Sequence, residues 1–526
     1  MCHDVDFVVI GSGFGGSVSA LRLAEKGYNV LVIEKGKHLR ASDFPKTNWN
    51  VRRWMWIPLL RCFGLFKLTF FRHVTVLSGV GVGGGSLVYA NTLPVPKENF
   101  FTSPSWSHLA DWKEELKPFY PLALRMLGAT RNTRMDAGDF ALQRMAKKLD
   151  KADHFELTQV AVFFGEPDKT VPDPYFDGKG PERAGCNYCG GCMLGCRFNA
   201  KNTLDKNYLH LAQNLGVKIQ AETEAIAVTP LNDNNGNDGY RITIRSSTRW
   251  FSKPKTVTTK GVIFAGGVMG TVPLLLKLKK EHLPRLSDRI GCQARTNSES
   301  LLGVTTFDKN TNFSTGIAIS SILHTDEHSH IEPVRYPAGS GAWRILGSPM
   351  TAGKNWVTRL SKALWDILRH PIRNARIYFV SDWARRTQIL LFMQTINSTL
   401  RFSLGSWGMK STMEQGVAPT VFMPEAQSLA KHFAEETNGK PVALLTETLL
   451  GIPTTAHILG GCVMGRDASE GVIDKDHRVF GYENMYVCDG SAISANPGVN
   501  PSLTITALTE RAMSKIPNAS DILNSL

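Results

Sequence analysis

The sequence predicts an α/β fold, α+β overall: a Rossmann-like unit interrupted by a second domain built on a mixed or antiparallel sheet. Three observations predict it. Within Asp6–Glu34 an apolar run, a glycine turn, a helical pattern and a second apolar run ending in an acid follow one another. Glycine-punctuated strand patterns return at 185–270 and again from about residue 453. Between them, 292–452 has longer strand-like pieces and fewer glycines.

The first stretch is the most informative. Asp6–Ile10 reads DFVVI, a strand pattern, and Gly11-Ser12-Gly13-Phe14-Gly15-Gly16 follows at once. In Ser17–Lys26, Val18, Leu21 and Ala24 are spaced for one buried helix face, and Asn29–Ile33 is a second strand ending at Glu34. In such a unit Gly11 makes the turn, Gly13 admits a pyrophosphate close to the backbone, and Gly16 lets helix and strand pack closely. The unpaired N–H groups and dipole at the helix N-terminus favour the phosphates. Glu34, 23 residues beyond Gly11, suits a ribose. A glycine cluster alone is often a plain loop; strand, helix and acid in register make it a dinucleotide site.

At 526 residues the chain has length for roughly two to four domains. Hydrophobic residues make up 42% and charged residues 20%, a globular balance. No segment approaches the ~20 apolar residues of a membrane span. The polar leader Met1–Val5 is no signal peptide, and a cytoplasmic protein, peripheral at a membrane where the basic segments touch it, is expected. The nine cysteines do not form a secreted disulfide framework. The net charge of +14 fits an anionic membrane surface or a solvated basic exterior; no nucleic-acid module is present, and no nucleic-acid partner is expected.

Val51–His73 is rich in aromatics interleaved with Arg52, Arg53, Arg61, Lys67 and Arg72. It suits a lipid interface, or a segment packed under the nucleotide domain with its charges outside. Gly79–Asn91 (GVGVGGGSLVYAN) is a second glycine cluster able to bring backbone N–H groups against a ligand. Cys186, Cys189, Cys192 and Cys196 follow C-x2-C-x2-C-x3-C, the spacing of a ferredoxin-type iron–sulfur run, although Arg197 stands where that pattern has proline. Zinc, or a glycine-rich turn with reduced cysteines, are the other readings. Ala200–Leu215 reads as a helix; Val217–Val228, Tyr240–Arg245 and Lys255–Ala265 read as strands, and Thr271–Lys280 as a helix. In Arg359–Arg376, Leu360, Leu364, Ile367 and Leu368 share one helical face, and Pro371 ends or kinks the helix. That face suits a membrane, or, more commonly, a core. The strand Met485–Cys488 ends in Asp489-Gly490, and a helix opens after Asn500-Pro501. There are no internal repeats.

These stretches resemble the glucose–methanol–choline (GMC) oxidoreductases, which bind FAD. The resemblance rests on Gly11–Glu34, Gly79–Asn91, Val262–Gly270, His457–Gly465 and Asp489–Ala507. The cholesterol oxidase branch, mycobacterial type, is also similar at Lys169–Phe176, at the cysteine run with Ala200–Leu204, at Arg295–Ser300, at His330–Tyr336 and at Ser491–Leu503. The resemblance implies FAD on Gly11, Gly13, Phe14, Gly15, Gly16, Glu34, Gly79, Gly83, Gly84, Ser86, Asn91, Ala225, Ala265, Gly266, Asp489, Gly490, Asn500 and Pro501. It implies a flavin carbonyl facing the helix that opens at Pro501. The covalent members carry a histidine in the second glycine motif; Ser86–Asn91 has none, so FAD is expected to be noncovalent.

His457, in HxxGG, and Asn500, in the VNP turn, match the family's catalytic pair. Imidazole can take the hydroxyl proton of a secondary alcohol, and a carboxamide N–H can donate to the oxygen as charge grows on it. Glu332 resembles the glutamate that carries a C4 proton to C6 when a Δ5-ketone becomes a Δ4-ketone; Glu299 is its runner-up, and a salt-bridged glutamate is the structural alternative. The implied function is oxidation of a 3β-hydroxysterol to the 3-ketosteroid, with isomerisation and oxygen as acceptor. The rivals are a flavin dehydrogenase of another lipid or alcohol that uses an electron carrier, and a non-catalytic flavin- or lipid-binding or electron-transfer protein. The expected division assigns 1–105, 181–291 and 453–526 to the FAD-binding domain, 106–180 to a covering segment of the substrate domain, and 292–452 to the substrate domain itself.

Overall fold

The computed structural model describes residues 3–351, 356–406, 408–420, 422–444, 447 and 451–523. Its first sheet grows from the strand Val5–Ile10. That strand pairs in parallel with Val30–Ile33 on one side and Lys255–Phe264 on the other. Lys218–Gln220 extends the parallel set beyond Val30–Ile33, and Met485–Val487 joins the C-terminal half of Lys255–Phe264. Tyr240–Ser246 and Thr223–Pro230 complete it antiparallel. Val30–Ile33 is buried throughout, as expected of parallel strands covered on both faces. Helices Phe14–Glu25, Tyr208–Asn214 and Ser502–Ser514 pack together on this unit.

The second sheet has seven strands, all antiparallel, in the order 347–349, 439–444, 300–306, 387–394, 329–334, 321–324, 155–157. Helices Ala137–Lys148 and Pro424–Glu436 bury Leu142, Met145, Leu429 and Phe433 against one of its faces. The segment expected as one cover, 106–180, is shared between the cores. Trp112–Leu116 and Phe119–Met126 pack on Ser502–Ser514, whereas Ala137–Lys148 lies on the second sheet.

Several expected elements are interrupted, each for a local reason. Val217–Val228 breaks at Glu222, whose φ is +51°, so two strands with different partners form. The helix expected from Ala200 begins only at Tyr208, whose N–H donates to Asn207 Oδ1. Val51–His73 becomes the short helix Val51–Trp54 and the strand Phe66–Phe70. Pro371 ends Trp356–Arg369 and opens a second helix, Pro371–Tyr378. The apolar side of this pair is not in a core: Trp365, Leu368, Ile372 and Phe379 are 64%, 74%, 77% and 84% exposed. Among the described residues no helix is long and apolar enough to cross a membrane.

Candidate active site

A cavity of about 580 Å³ lies between the two sheets. Of the residues expected at the cofactor, Gly11, Gly13, Phe14, Gly15, Glu34, Gly79, Gly84, Ala225, Ala265, Gly266, Asp489, Gly490, Asn500 and Pro501 line it. Gly16, Gly83, Ser86 and Asn91 do not. A Cβ on Gly16 would meet the Gly11 carbonyl, so this glycine serves helix–strand packing. Ser86 Oγ donates to the Gly83 carbonyl (2.7 Å) and accepts from Leu204 N–H (3.0 Å), which fastens the second glycine loop from behind. Asn91 is fully buried at φ +71°, and neither atom of its amide has a hydrogen-bond partner.

The nucleotide end of the cavity is preorganised by carboxylates. Glu34 accepts from Ser12 N–H (3.1 Å), Ser12 Oγ–H (2.7 Å) and Gly36 N–H (2.8 Å). Gly83 N–H donates in turn to Ser12 Oγ (3.1 Å), joining the two glycine turns. Asp489 accepts from Gly267 N–H (2.8 Å) and Thr271 Oγ–H (2.5 Å) on one oxygen and from Ser491 on the other. Burial pushes the Asp489 carboxyl above its usual range despite these donors. The helices Phe14–Glu25 and Ser502–Ser514 have no side-chain cap and no acid in the first turn, leaving N–H groups for an anionic or carbonyl ligand.

His457 stands on the cavity wall after the strand Thr454–Thr455. Its Nδ1 lies 2.7 Å from Glu299 Oε1. Glu299 also accepts from Thr455 Oγ–H (2.8 Å) and Ala456 N–H (3.1 Å). A carboxylate at Nδ1 selects the tautomer that donates from that nitrogen and leaves Nε2 as the basic one. Burial alone drives the imidazole pKa down; the charges of Glu299 and then Glu332 outweigh it, and the net shift is upward. Asn500 also lines the cavity, with its Oδ1 buried and unpartnered. The sequence reading named Glu299 only as a runner-up proton carrier. Its place against His457 had no signal in the sequence, because the two are 158 residues apart.

Glu332 does not line the cavity. It is fully buried beside His330 (3.6 Å), with both carboxyl oxygens lacking a hydrogen bond. Its strand neighbour on the same face, Val334, does line the cavity, as does its cross-strand partner Leu391. The rest of the wall near the second sheet is apolar and aromatic: Ile319, Ile389, Trp343, Tyr378 and Trp383. Sequence reasoning did not single out this wall.

The cysteine run folds as one loop against 314–318. All four of its cysteines line a small second cavity, and none is in a disulfide. Among the described residues no three His, Cys, Asp or Glu side chains converge where one metal ion would sit.

A Rossmann-like sheet with a glycine turn, opening onto a mixed polar and apolar cavity, defines a nucleotide-cofactor oxidoreductase. Comparison with known proteins narrows the class. The GMC oxidoreductase pattern matches residues 181–291 and 379–509, and an NAD(P)-binding Rossmann-like pattern matches 9–53. A cholesterol oxidase of Acinetobacter baumannii is 46% identical over 98% of this chain and 95% of its own. One of Mycobacterium tuberculosis is 42% identical over 98% and 92%. A long-chain-alcohol oxidase of Arabidopsis thaliana is 24% identical over 95% and 66%. The fold is shared with a pyridoxine 4-oxidase from Mesorbium loti (TM-score 0.61, 13% identity, 97% of this chain and 99% of that one). The chain belongs to the GMC oxidoreductase family and is cholesterol oxidase-like. Membership implies FAD. The residues present fit it: space stands open over Gly13, two helix N-termini are uncapped, and Asn500 Oδ1 lacks a partner.

Proposed function

We propose that the protein oxidises a 3β-hydroxysterol to the 3-ketosteroid. One observation carries the reading: the Glu299–His457 pair and Asn500 line the same cavity as the nucleotide-type glycine turn and an apolar wall. FAD, held noncovalently in this cavity, would supply the hydride acceptor for the carbinol carbon. The chain's own residues supply the rest. His457 Nε2 takes the hydroxyl proton, Glu299 fixes the ring and stabilises the imidazolium, and the Asn500 amide donates to the substrate oxygen. The apolar wall excludes water from a bulky substrate. Oxygen is the acceptor by likeness to the relatives, whose names are those of oxidases. The test is the visible spectrum of the purified protein before and after anaerobic addition of cholesterol. Bleaching of the flavin bands is expected; a colourless protein, or a flavin that sterol does not reduce, rejects the reading.

A base must be neutral to accept a proton, and here the imidazole pKa is raised. Activity is therefore expected to climb with pH through a midpoint above the ~6.5 of free imidazole. Glu299→Gln removes the principal raising charge, so the midpoint should fall. A kcat/KM profile against pH checks both; an unmoved midpoint would show that another group titrates.

Glu332 is the proposed carrier of the C4 proton to C6, which requires its carboxylate to turn into the cavity past the wall of Val334 and Leu391. It is buried, unpartnered and close enough to His457 to act on it. Glu332→Gln should leave oxidation running and let the Δ5-ketone accumulate, read by chromatography of the products. Unchanged formation of the Δ4-ketone would shift the role to Glu299.

Substrate arrival is proposed to use a membrane surface. Trp54 meets Trp343 at 5.4 Å between ring centroids, so the aromatic segment 51–70 and the wall segment 343–383 converge. Ile377 and Tyr378 line the cavity, while Leu364, Trp365, Leu368 and Ile372 on the same helix pair face solvent beside exposed Arg369 and Arg376. Leu59 and Leu60 are exposed next to Arg61 in the other segment. Apolar groups ringed by cations suit an anionic bilayer. Trp365→Glu with Leu368→Glu should weaken co-sedimentation with phosphatidylglycerol vesicles at least tenfold. Equal sedimentation would place sterol entry elsewhere.

A further inference from the structure

We infer that the loop Cys186–Cys196 is an iron–sulfur ligand set that carries electrons from the active-site cavity to the protein surface. All four cysteines face one small cavity, and the loop coils round it through left-handed residues at Tyr188 (φ +58°), Gly190 (+69°) and Gly195 (+83°). Its turn is clamped to the neighbouring segment by Gly190 N–H to the Gly316 carbonyl and Gly316 N–H to the Tyr188 carbonyl, both 2.8 Å.

The surroundings of the sulfurs identify what they hold. Tyr188 N–H donates to Cys186 Sγ (3.4 Å) and Ala200 N–H to Cys196 Sγ (3.3 Å). Two of the four sulfurs thus accept from a backbone donor. A neutral thiol is a weak acceptor and needs none; a metal-bound thiolate is tuned by such contacts. Asn91 supplies an independent sign. It is fully buried and neither amide atom has a hydrogen-bond partner, and Lys201, which donates to the carbonyls of Tyr89 and Cys192, ties its segment to the cysteine loop. This accounts for an asparagine that sequence reasoning assigned to FAD and that does not line the FAD cavity. The buried Lys201 amine donates to the carbonyls of Leu87, Tyr89 and Cys192, which places a basic group beside what would be a cluster of four thiolates.

Zinc is the poorer occupant. Tetrahedral Zn–S bonds of ~2.3 Å require sulfurs about 3.8 Å apart around one ion, and no three side chains of the loop converge on such a point. A cluster of several irons holds its ligands further apart.

The position supplies the use. Tyr89, Ala90 and Met193 line the main cavity, Cys192 lines the second, and Cys189 is exposed. Oxidation of one carbinol releases two electrons and two protons. The cluster would pass the electrons singly and give them an outlet beside oxygen, so that two molecules of a one-electron acceptor are reduced per ketone formed by that route. This route rests on the flavin oxidoreductase reading; the metal site does not.

The test uses the full chain with its flavin, purified anaerobically from iron-supplemented cells. Iron and acid-labile sulfide of about four each per chain are expected, with an EPR signal after dithionite. Cys189→Ser, at an exposed position, and Cys192→Ser should each lower iron at least twofold and abolish the signal while flavin absorbance persists. Ferricyanide reduction by cholesterol should fall at least tenfold in both. Wild-type protein without iron and sulfide, or with zinc in their place, overturns the inference. Iron and EPR present with no response to sterol would reject the sterol reading and keep the metal site.

Discussion

His457→Ala is expected to lower kcat for sterol oxidation by roughly 10²–10⁴-fold, the usual weight of a positioned general base, while the protein stays yellow. The imidazole lines the cavity but belongs to neither glycine turn, so its removal takes away no contact that holds the nucleotide. It does strand Glu299, whose Oε1 loses its 2.7 Å partner but keeps Thr455 Oγ–H. The carboxylate is then left short of a partner in a buried site, at a cost of about 1–3 kcal/mol in stability. His457→Gln retains a donor toward Glu299 and should restore most of that stability without restoring turnover. The pair of variants thus separates folding from chemistry. Steady-state kinetics with thermal melts checks it; near wild-type kcat in His457→Ala would remove the proton-transfer assignment from His457 and move it to another group.

Gly13→Val is expected to yield folded protein that has lost its flavin. The turn glycines differ sharply in what a side chain would meet. At Gly11, in the left-handed region at φ +108°, a Cβ runs into the Ala265 carbonyl; at Gly15 it runs into the Cys488 carbonyl. Alanine at either should destroy the fold. Gly13 has φ −72° and nothing within 4 Å of its Cβ position, in the cavity wall at the helix N-terminus. Its openness serves the ligand and not the fold. Filling that space should cost binding about 1–3 kcal/mol by overpacking, or roughly 5–150-fold in Kd. Circular dichroism with flavin quantitation reads it. A fully flavinated Gly13→Val protein would mean that the pyrophosphate does not pass over this residue.

Much of the arrangement was legible because it is written in local pattern. The strand–turn–helix–strand of Asp6–Glu34 depends on neighbours in sequence, and all but one of its named glycines line the cavity. Other positions were legible in type but not in task. Ser86 and Gly83 sit in the right loop yet face away from the cavity, since Ser86 Oγ is consumed by Gly83 and Leu204. Whether a loop residue faces ligand or backing depends on rotation about the loop, which composition does not encode. The apolar side of Trp356–Arg369 shows the same limit. Its periodicity specifies a two-faced helix but not what covers the apolar side, and Trp365 and Leu368 stand in solvent.

The sequence alone determined the α/β class, the glycine turn, the family and the identities of His457 and Asn500, because short-range periodicity and motif spacing are properties of adjacent residues. Tertiary structure alone decided that Glu299 is the partner of His457, that Glu332 stands behind the cavity wall, that Asn91 stands off the cavity, and that two aromatic–basic segments almost 300 residues apart share one surface. These are contacts between distant parts of the chain, set by how two sheets close on one another, and no local pattern carries them.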